Sequence, residues 1–385
     1  MRHVPVRRFA ATLAIVLLAA LSIGTIELAL HLAGFPSPAV SGWRSTLKPL
    51  EGNQLGFRGR PIKYESDDTV ILLVGDSQVE ASACCAFGWM PERRLEHYLA
   101  TKYGKKVKVF TLGASGYGND QELLAIREYF QKFRADMLIL WQTPSNDIWN
   151  NIFPTHMPAN GTRKPTFILS DGTLQWPDER IGGQLPIPSF RLGALARARM
   201  APAEPDSDWE DWLPASYQPL NVSGGQANQK WENLRKQGLL KDENLLSEKS
   251  HLAIYFSPRS QRMQYGLDLT RSLLRLMSEE ASAHHAVFAL FRPMYDDAAL
   301  VSQEDDIYEF SGRYYRASRR QREENMEYVN AGFRQFAVPI YLEDQRVGPW
   351  DAHLNEHATD QAMEGLAAQV APLIADKKTS PQLLQ

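Results

Sequence analysis

The turn Gly75-Asp76-Ser77 places a serine directly after the apolar run at residues 70–74. A β-branched run of this length that stops at a turn is typical of a buried strand. In α/β proteins, the chemistry lies outside the carboxyl ends of the parallel strands. Ser77 is therefore a candidate nucleophile. The tripeptide alone is weak support, because Gly, Asp and Ser are common in turns for backbone reasons.

Other polar residues also follow predicted strands. Gly116 comes after the second strand and Asn146 after the third, while Asp351 and His353 lie in the last loop. In a parallel sheet, such positions meet at one edge although they are far apart in sequence. A histidine can take the proton of a serine, and a carboxylate can fix the tautomer of that histidine. Backbone N–H groups and an amide can stabilise an oxyanion, so the set predicts nucleophilic acyl transfer.

These four blocks resemble those of the SGNH hydrolase superfamily, the GDSL-type esterases. The pattern of that family is Gly-Asp-Ser, a glycine after the second strand, Gly-x-Asn-Asp after the third, and Asp-x-x-His near the C-terminus. In this chain the blocks read Gly75-Asp76-Ser77, Ala114-Ser115-Gly116, Pro144-Ser145-Asn146-Asp147 and Asp351-Ala352-His353. The resemblance covers about residues 69–150 and 285–372.

The resemblance implies a role for each of five residues. Ser77 would be the nucleophile, His353 the general base, and Asp351 the acid that orients the histidine. The N–H groups of Ser77 and Gly116 and the side-chain amide of Asn146 would form the oxyanion hole. We expect no cofactor and no metal ion.

The chain departs from the family pattern in two places. Ser145 stands where many members have glycine, and a single residue separates Asp351 from His353. The Asp-x-His-x-Asn form resembles the last block of exported, membrane-linked members, some of which modify cell-surface polysaccharides. His357, four residues after His353, is the competing general base, although it is predicted to lie on the following helix.

The N-terminus predicts a membrane anchor. Four basic residues come first: Arg2, His3, Arg7 and Arg8. The uncharged run at residues 9–26 follows, and it is about as long as the roughly 20 residues that span a bilayer. Basic residues keep their side of a span in the cytoplasm. We therefore expect a single-pass inner-membrane protein, with residues 1–35 as tip and anchor and the rest on the periplasmic or extracellular side. A cleaved signal peptide and a buried soluble helix are the alternatives.

The remaining pattern predicts an α/β fold: a three-layer α/β/α sandwich with a mostly parallel five-stranded sheet, the flavodoxin-like SGNH fold. Residues 36–68 are predicted to be a linker, and residues 69–385 the hydrolase-like domain, with a long insertion at about 151–250. Strands are expected at 70–74, 107–112, 137–141, 286–291 and 339–342, and helices at 90–103, 120–133, 262–279, 323–336 and near the C-terminus up to 374.

Other segments are predicted from composition. The insertion should hold a small hairpin at 167–176, and residues 313–322 should form a basic helical face. Five aromatic residues of the insertion would form its own small core or stack on sugar rings: Trp176, Trp209, Trp212, Tyr217 and Trp231. Cys84 and Cys85 are adjacent, a spacing that fits no zinc site, and are predicted to be buried thiols.

The functional prediction is a membrane-anchored serine esterase that acts on an acyl ester, with a short acyl group, carried by a small molecule or a glycan. An O-acyltransferase for an envelope polysaccharide would use the same residues. A catalytically silent binding or assembly protein is the third alternative, but intact Ser77, Asn146 and His353 count against it. The net charge of -3 over 385 residues gives no reason to expect nucleic-acid binding.

Overall fold

The computed structural model describes residues 4–32, 52–154, 164–177, 190–193, 227–238, 248–294, 305–340, 345–348 and 351–374. Eleven strands are described, β1 (Thr69–Gly75), β2 (Val107–Gly113), β3 (Met137–Trp141), β4 (Ile168–Ser170), β5 (Thr173–Gln175), β6 (Val287–Met294), β7 (Asp305–Phe310), β8 (Arg313–Ser318), β9 (Gln335–Pro339), β10 (Arg346–Gly348) and β11 (Asp351–Leu354). The helices are α1 (Val4–Leu32), α2 (Ser77–Glu80), α3 (Pro91–Thr101), α4 (Asn119–Phe130), α5 (Pro144–Ile152), α6 (Lys230–Lys236), α7 (Gln261–Ala283), α8 (Arg319–Asn330) and α9 (Glu356–Val370).

A five-stranded parallel sheet forms the centre of the fold, in the order β2-β1-β3-β6-β9. This is the flavodoxin-like order, and it confirms the predicted α/β fold class. The chain leaves β1 towards β2 on one side and leaves β3 towards β6 on the other, so the strand order reverses between β1 and β3. In folds of this kind, the crevice that binds ligands lies outside the strand ends at this point. The candidate catalytic turn lies at that crevice.

Both faces of the sheet are buried, which explains why its strands are continuous apolar runs. Val70, Leu72 and Val74 point to the face covered by α4, α5 and α7. Ile71 and Leu73 point to the opposite face, which α3 and α9 cover. The alternation follows from the two-residue period of a strand, and the result is the expected three-layer arrangement.

Two predicted elements near the C-terminal end of the domain differ from the observed ones. The helix predicted at 323–336 is α8, which begins at Arg319 and ends at Asn330, and Gly332 follows with φ 93°. The strand predicted at 339–342 is β9, which starts at Gln335 and pairs with β6. The left-handed glycine ends the helix early, so the strand begins sooner.

The basic segment at 313–322 is only partly helical, which corrects the prediction of one helical face. Residues 313–318 form β8, paired with β7 across a two-residue turn in which Ser311 and Gly312 both have positive φ. Tyr315 and Ala317 are buried, whereas Arg316 between them is exposed. The pattern therefore has the period of a strand.

Aromatic residues join this β7–β8 hairpin to α6. The Trp231 ring is fully buried and stacks on Tyr308 with 4.0 Å between centroids. It is therefore a packing residue, as the small-core alternative expects. Trp176 is 47% exposed at the end of the predicted small hairpin, observed as β4–β5. Trp209, Trp212 and Tyr217 lie outside the described residues.

Residues 52–68, which the sequence places in a linker, pack against the sheet domain. Leu55 and Phe57 are buried in the core. The buried Arg58 guanidinium donates to the backbone carbonyls of Glu80 (3.0 Å) and Cys85 (2.9 Å). This part of the chain therefore supports the loop that follows α2.

The prediction that Cys84 and Cys85 are free thiols is wrong, because the two residues form a disulfide with each other. They lie in the irregular turn between α2 and α3. Adjacent side chains diverge on a strand or a helix. The backbone of this turn is neither strand nor helix, so the adjacent side chains of Cys84 and Cys85 can meet.

The N-terminal helix α1 contains a 22-residue apolar segment, Ala11–Leu32, that is long and apolar enough to cross a membrane. Its last turns carry Glu27, whose carboxylate accepts hydrogen bonds from the backbone N–H groups of Arg191 (2.6 Å) and Leu192 (2.8 Å). A short piece of the chain after α5 therefore contacts the C-terminal end of the helix.

Gly113 provides a test of how closely α2 packs on the sheet. A Cβ at this position would lie 2.7 Å from the backbone carbonyl carbon of Val79 and closer still to the backbone N of Glu80. We expect Gly113→Ala to lower the free energy of unfolding by about 1–3 kcal/mol, because the backbone of α2 must move. Gly88→Ala, where nothing lies within 4 Å, is the matched control. Urea unfolding of both variants checks this, and equal stability would contradict the close approach.

Candidate active site

Ser77 is the first residue of α2, directly after the end of β1. The preceding Asp76 is the N-cap, and its carboxylate accepts a hydrogen bond from the backbone N–H of Gln78 at 2.9 Å. Asp76 is buried and Ser77 is half-buried. The Asp76 cap thus fixes the turn and leaves the serine side chain at the crevice.

The structure brings Asp351 and His353 into direct contact. A carboxylate oxygen of Asp351 binds Nδ1 of the His353 ring and also accepts the backbone N–H of His353 at 2.9 Å. Both residues are on β11, where side chains two positions apart share a face. This explains how a carboxylate and a histidine separated by a single residue can meet.

Ser77 and His353 are not hydrogen-bonded to each other among the described residues. The contact between α2 and β11 is made by the residues that follow Ser77 and His353. Gln78 Oε1 accepts the backbone N–H of Leu354 at 3.1 Å. Catalytic hydrogen bonds are often long in unliganded enzymes and shorten only with substrate. The geometry is therefore that of a nucleophile turn and a histidine strand joined side by side.

Two backbone donors are available at the crevice. In the described part of the chain, the N–H groups of Ser77 and Gly116 donate to no acceptor. Gly116 has φ 70°, in the left-handed region that favours glycine. Unpaired N–H groups of this kind can act as donors to an oxyanion.

The side chain of Asn146 is held by other residues. Its Nδ2 donates to Asp76 Oδ2 at 2.7 Å and to the Tyr117 carbonyl at 3.3 Å. Its Oδ1 accepts from Nδ2 of Asn150 at 2.8 Å, one turn further along α5. Asn150 therefore fixes which end of the Asn146 amide faces Asp76. To donate to an oxyanion, Asn146 must give up the longer of its two bonds.

The competing base His357 lies in the first turn of α9 and is exposed. No carboxylate contact of His357 is formed among the described residues, whereas the ring of His353 is bound by Asp351. His353 is thus the histidine that has an orienting partner.

Three buried carboxyl groups lie beneath the crevice: Asp76, Glu122 and Asp147. Burial raises the pKa of each, and for Glu122 and Asp147 the other carboxylates raise the pKa further. The Asn119 amide counters this by donating to Glu122 Oε2 at 2.7 Å. One oxygen each of Glu122 and Asp147 is buried without a hydrogen bond among the described residues. The two acids therefore favour the protonated form.

Asp120, at the start of α4, forms an ion pair with Lys164, and both side chains are fully buried. Burial lowers the pKa of Lys164 and raises that of Asp120, while the attraction between the two opposes both changes. Lys164 thus joins the segment after α5 to the buried start of α4.

In the described ranges, the acidic side chains whose spacing a metal ion could use are Glu65, Asp67 and Asp68. They lie before β1, away from the carboxyl ends of the strands. Lys106 Nζ already binds Glu65 and Asp67 at 2.7 Å each. These carboxylates are therefore paired with a lysine.

No protein-family model matches the chain, and no curated protein matches it. Several solved structures are similar to it. TesA is 12% identical, with 79% of this chain and 99% of that chain covered, at a TM-score of 0.36. The lipase Lip_vut3 from a goat rumen metagenome is 10% identical, with 78% and 96% covered, at a TM-score of 0.37.

A third similar structure is a candidate GDSL-like lipase from Parabacteroides merdae, 13% identical, with 81% and 100% of the two chains covered and a TM-score of 0.34.

Sequence reasoning missed several residues of the site. The helix α5, which carries Asn146 and Asn150, was not predicted. Pro144 could have indicated its start, because proline is common at the first position of a helix, and residues four positions apart on a helix face each other. No sequence pattern indicates the role of Gln78, because its hydrogen-bond partner is the backbone N–H of Leu354, far away in the sequence. Glu122 gave the opposite signal, since a glutamate in a helix is usually on the surface.

The orientation of Asn146 can be tested at Asn150. We expect Asn150→Leu to slow the reaction of Ser77 with a fluorophosphonate probe about tenfold or more, because the Asn146 amide is then free to flip. Asn151→Leu is the matched control, since Asn151 is also buried on α5 but binds Asn119 and Thr270. Equal slowing in the two variants would contradict a specific role for Asn150.

Glu122 predicts a pH dependence of stability. Its raised pKa means that the folded chain binds more protons than the unfolded chain above about pH 4, so the free energy of unfolding falls as pH rises through the folded-state pKa. We expect Glu122→Gln to flatten this fall and to stabilise the protein by about 1–3 kcal/mol at alkaline pH. Glu128→Gln, on the same helix and paired at 3.0 Å with Lys132, is the control. Urea unfolding at several pH values checks the slope, and an unchanged slope would refute the assignment.

Proposed function

We propose that this chain is a serine esterase of the SGNH type, which hydrolyses a short-chain acyl ester through an acyl-Ser77 intermediate. The observation that carries the proposal is the junction of Ser77 with a hydrogen-bonded Asp351–His353 pair, through the contact between Gln78 and Leu354. The unpaired N–H groups of Ser77 and Gly116 at the same crevice support it.

In the first step, His353 Nε2 takes the proton of Ser77 Oγ as the oxygen attacks the ester carbonyl carbon. Asp351, bound to Nδ1, keeps the ring in the tautomer that leaves Nε2 free to accept. The carbonyl oxygen becomes an oxyanion and is held by the N–H groups of Ser77 and Gly116, with Asn146 as the third donor. The C–O bond to the alcohol then breaks, and His353 gives its proton to the leaving alcohol.

In the second step, water attacks the acyl-Ser77 ester. His353 accepts a proton from the water, the same donors hold the second oxyanion, and the bond to Ser77 Oγ breaks with return of the proton to the serine. The products are a carboxylic acid and the free enzyme. Asp76 remains outside both steps, and its role is to hold the turn and the Asn146 amide.

We also propose that α1 anchors the enzyme in the cytoplasmic membrane with the catalytic domain on the outer side. The apolar segment Ala11–Leu32 has the length of a span, and basic residues precede it. The substrate would then be an acyl ester of the envelope or its surroundings, on a small molecule or a glycan.

A fluorophosphonate probe tests the nucleophile. We expect the full chain in detergent to be labelled on Ser77, and Ser77→Ala to lose the label completely, because the probe needs an activated serine. Ser115→Ala, which removes an exposed serine beside Gly116, should keep the label. Absence of labelling in the wild-type chain would refute the serine-nucleophile proposal.

The fate of the acyl group is measured in the same preparation. Hydrolysis predicts release of acetate from p-nitrophenyl acetate at a rate that an added glycan acceptor does not change. Transfer of the acetyl group to the glycan in place of acetate release would contradict the esterase proposal and favour the acyltransferase alternative.

A further inference from the structure

One side chain connects the two halves of the candidate site. Gln78 follows Ser77 in α2, and Leu354 follows His353 in β11. Gln78 Oε1 accepts the Leu354 backbone N–H at 3.1 Å, and both residues are buried, with exposed fractions of 7% and 1%. The contact spans 276 positions in sequence.

The histidine strand depends on this contact because it is not part of the main sheet. β11 pairs with β10 in a separate two-stranded unit, in the described part of the chain. The next residue, Asn355, donates its backbone N–H to the Gln345 carbonyl at 3.0 Å, within the same unit. The strand that carries His353 therefore forms no strand pairing with the five-stranded sheet in the described ranges, although Leu354 packs in the core beneath it.

The backbone of Gln78 is also held in place. Its backbone N–H donates to Asp76 Oδ1 at 2.9 Å, and α2 lies against the ends of β1 and β2. A side chain on such a rigid turn can set the position of a partner strand. The buried N–H of Leu354 needs an oxygen acceptor at the end of the Gln78 side chain, because a buried N–H without an acceptor is costly.

We propose that Gln78 is a positioning residue that sets the distance between Ser77 Oγ and the His353 ring by holding β11 at Leu354. This deepens the proposed function and rests on it for the chemical step. Gln78 does not touch the reacting atoms. It acts through the strand that carries the general base.

The test uses two glutamine variants with the same kind of contact. Gln78→Met keeps the length of the side chain but removes the acceptor. Gln54→Met is the matched control, because Gln54 Oε1 also accepts a backbone N–H, that of Ile62 at 2.7 Å, in the segment before β1. Each full-length variant is compared with wild type in its rate of labelling by a fluorophosphonate probe.

We expect Gln78→Met to label about 10- to 100-fold more slowly than wild type, since misplacement of a catalytic group by about 1 Å has an effect of this size. Gln54→Met should label at the wild-type rate. Gln78→Glu, which retains an oxygen acceptor of the same reach, should recover most of the rate. Labelling of Gln78→Met within about twofold of wild type, or a Gln78→Glu variant as slow as Gln78→Met, overturns the proposal.

Amide hydrogen exchange separates this inference from the proposed function. The peptide containing Leu354 should exchange faster in Gln78→Met than in wild type and should be unchanged in Gln54→Met, whether or not the enzyme reacts with any probe. Unchanged exchange in Gln78→Met overturns the proposal, whereas a wild-type chain that does not label at all refutes only the proposed function.

Should Gln78→Met not fold, Gln78→Asn gives the same comparison, because its amide is one methylene too short to reach Leu354.

Discussion

The backbone of α2 lies so close to the end of β2 that no side chain fits between them. Gly113 permits this approach, and the turn at Asp76 then has little freedom. This close packing also fixes Ser77, which is the second residue after β1, a strand that is buried on both faces. Gly116 and Asn146 follow the two strands that flank β1, so their positions derive from the same parallel register.

The contact between Asp351 and His353 has a different origin. Asp351 and His353 come from a short two-stranded unit beside the sheet, and they meet because alternate residues of a strand share a face. A loop or a helical turn would need another spacing to achieve the same contact. The Asp-x-His spacing and the strand that carries it are therefore one feature. The turn with Ser77 and the strand with His353 are joined by the hydrogen bond between Gln78 and Leu354 and by the packing of Leu354 in the core.

The strands of the sheet and the order of the candidate residues could be predicted from the sequence, because long apolar runs are typical of strands buried on both faces. The burial of polar residues could not be predicted. Glu122 and Asp147 look like surface positions of helices, yet both lie in the interior. The arginines at residues 313–322 suggest a solvated helical face, whereas the turn at Ser311 and Gly312 places residues 313–318 in a strand paired with β7. The disulfide between Cys84 and Cys85 depends on loop geometry that no local pattern encodes.

The ion pair of Lys164 with Asp120 has a consequence for the architecture. Lys164 belongs to the segment that follows α5, yet its charge lies inside the sheet domain. Loss of one partner of a buried pair leaves an uncompensated charge, at a cost of about 3–5 kcal/mol. A shortened chain without this segment would therefore lack a counter-charge in its own interior. Residues of the segment after α5 therefore contribute to the interior of the sheet domain as well as to its surface.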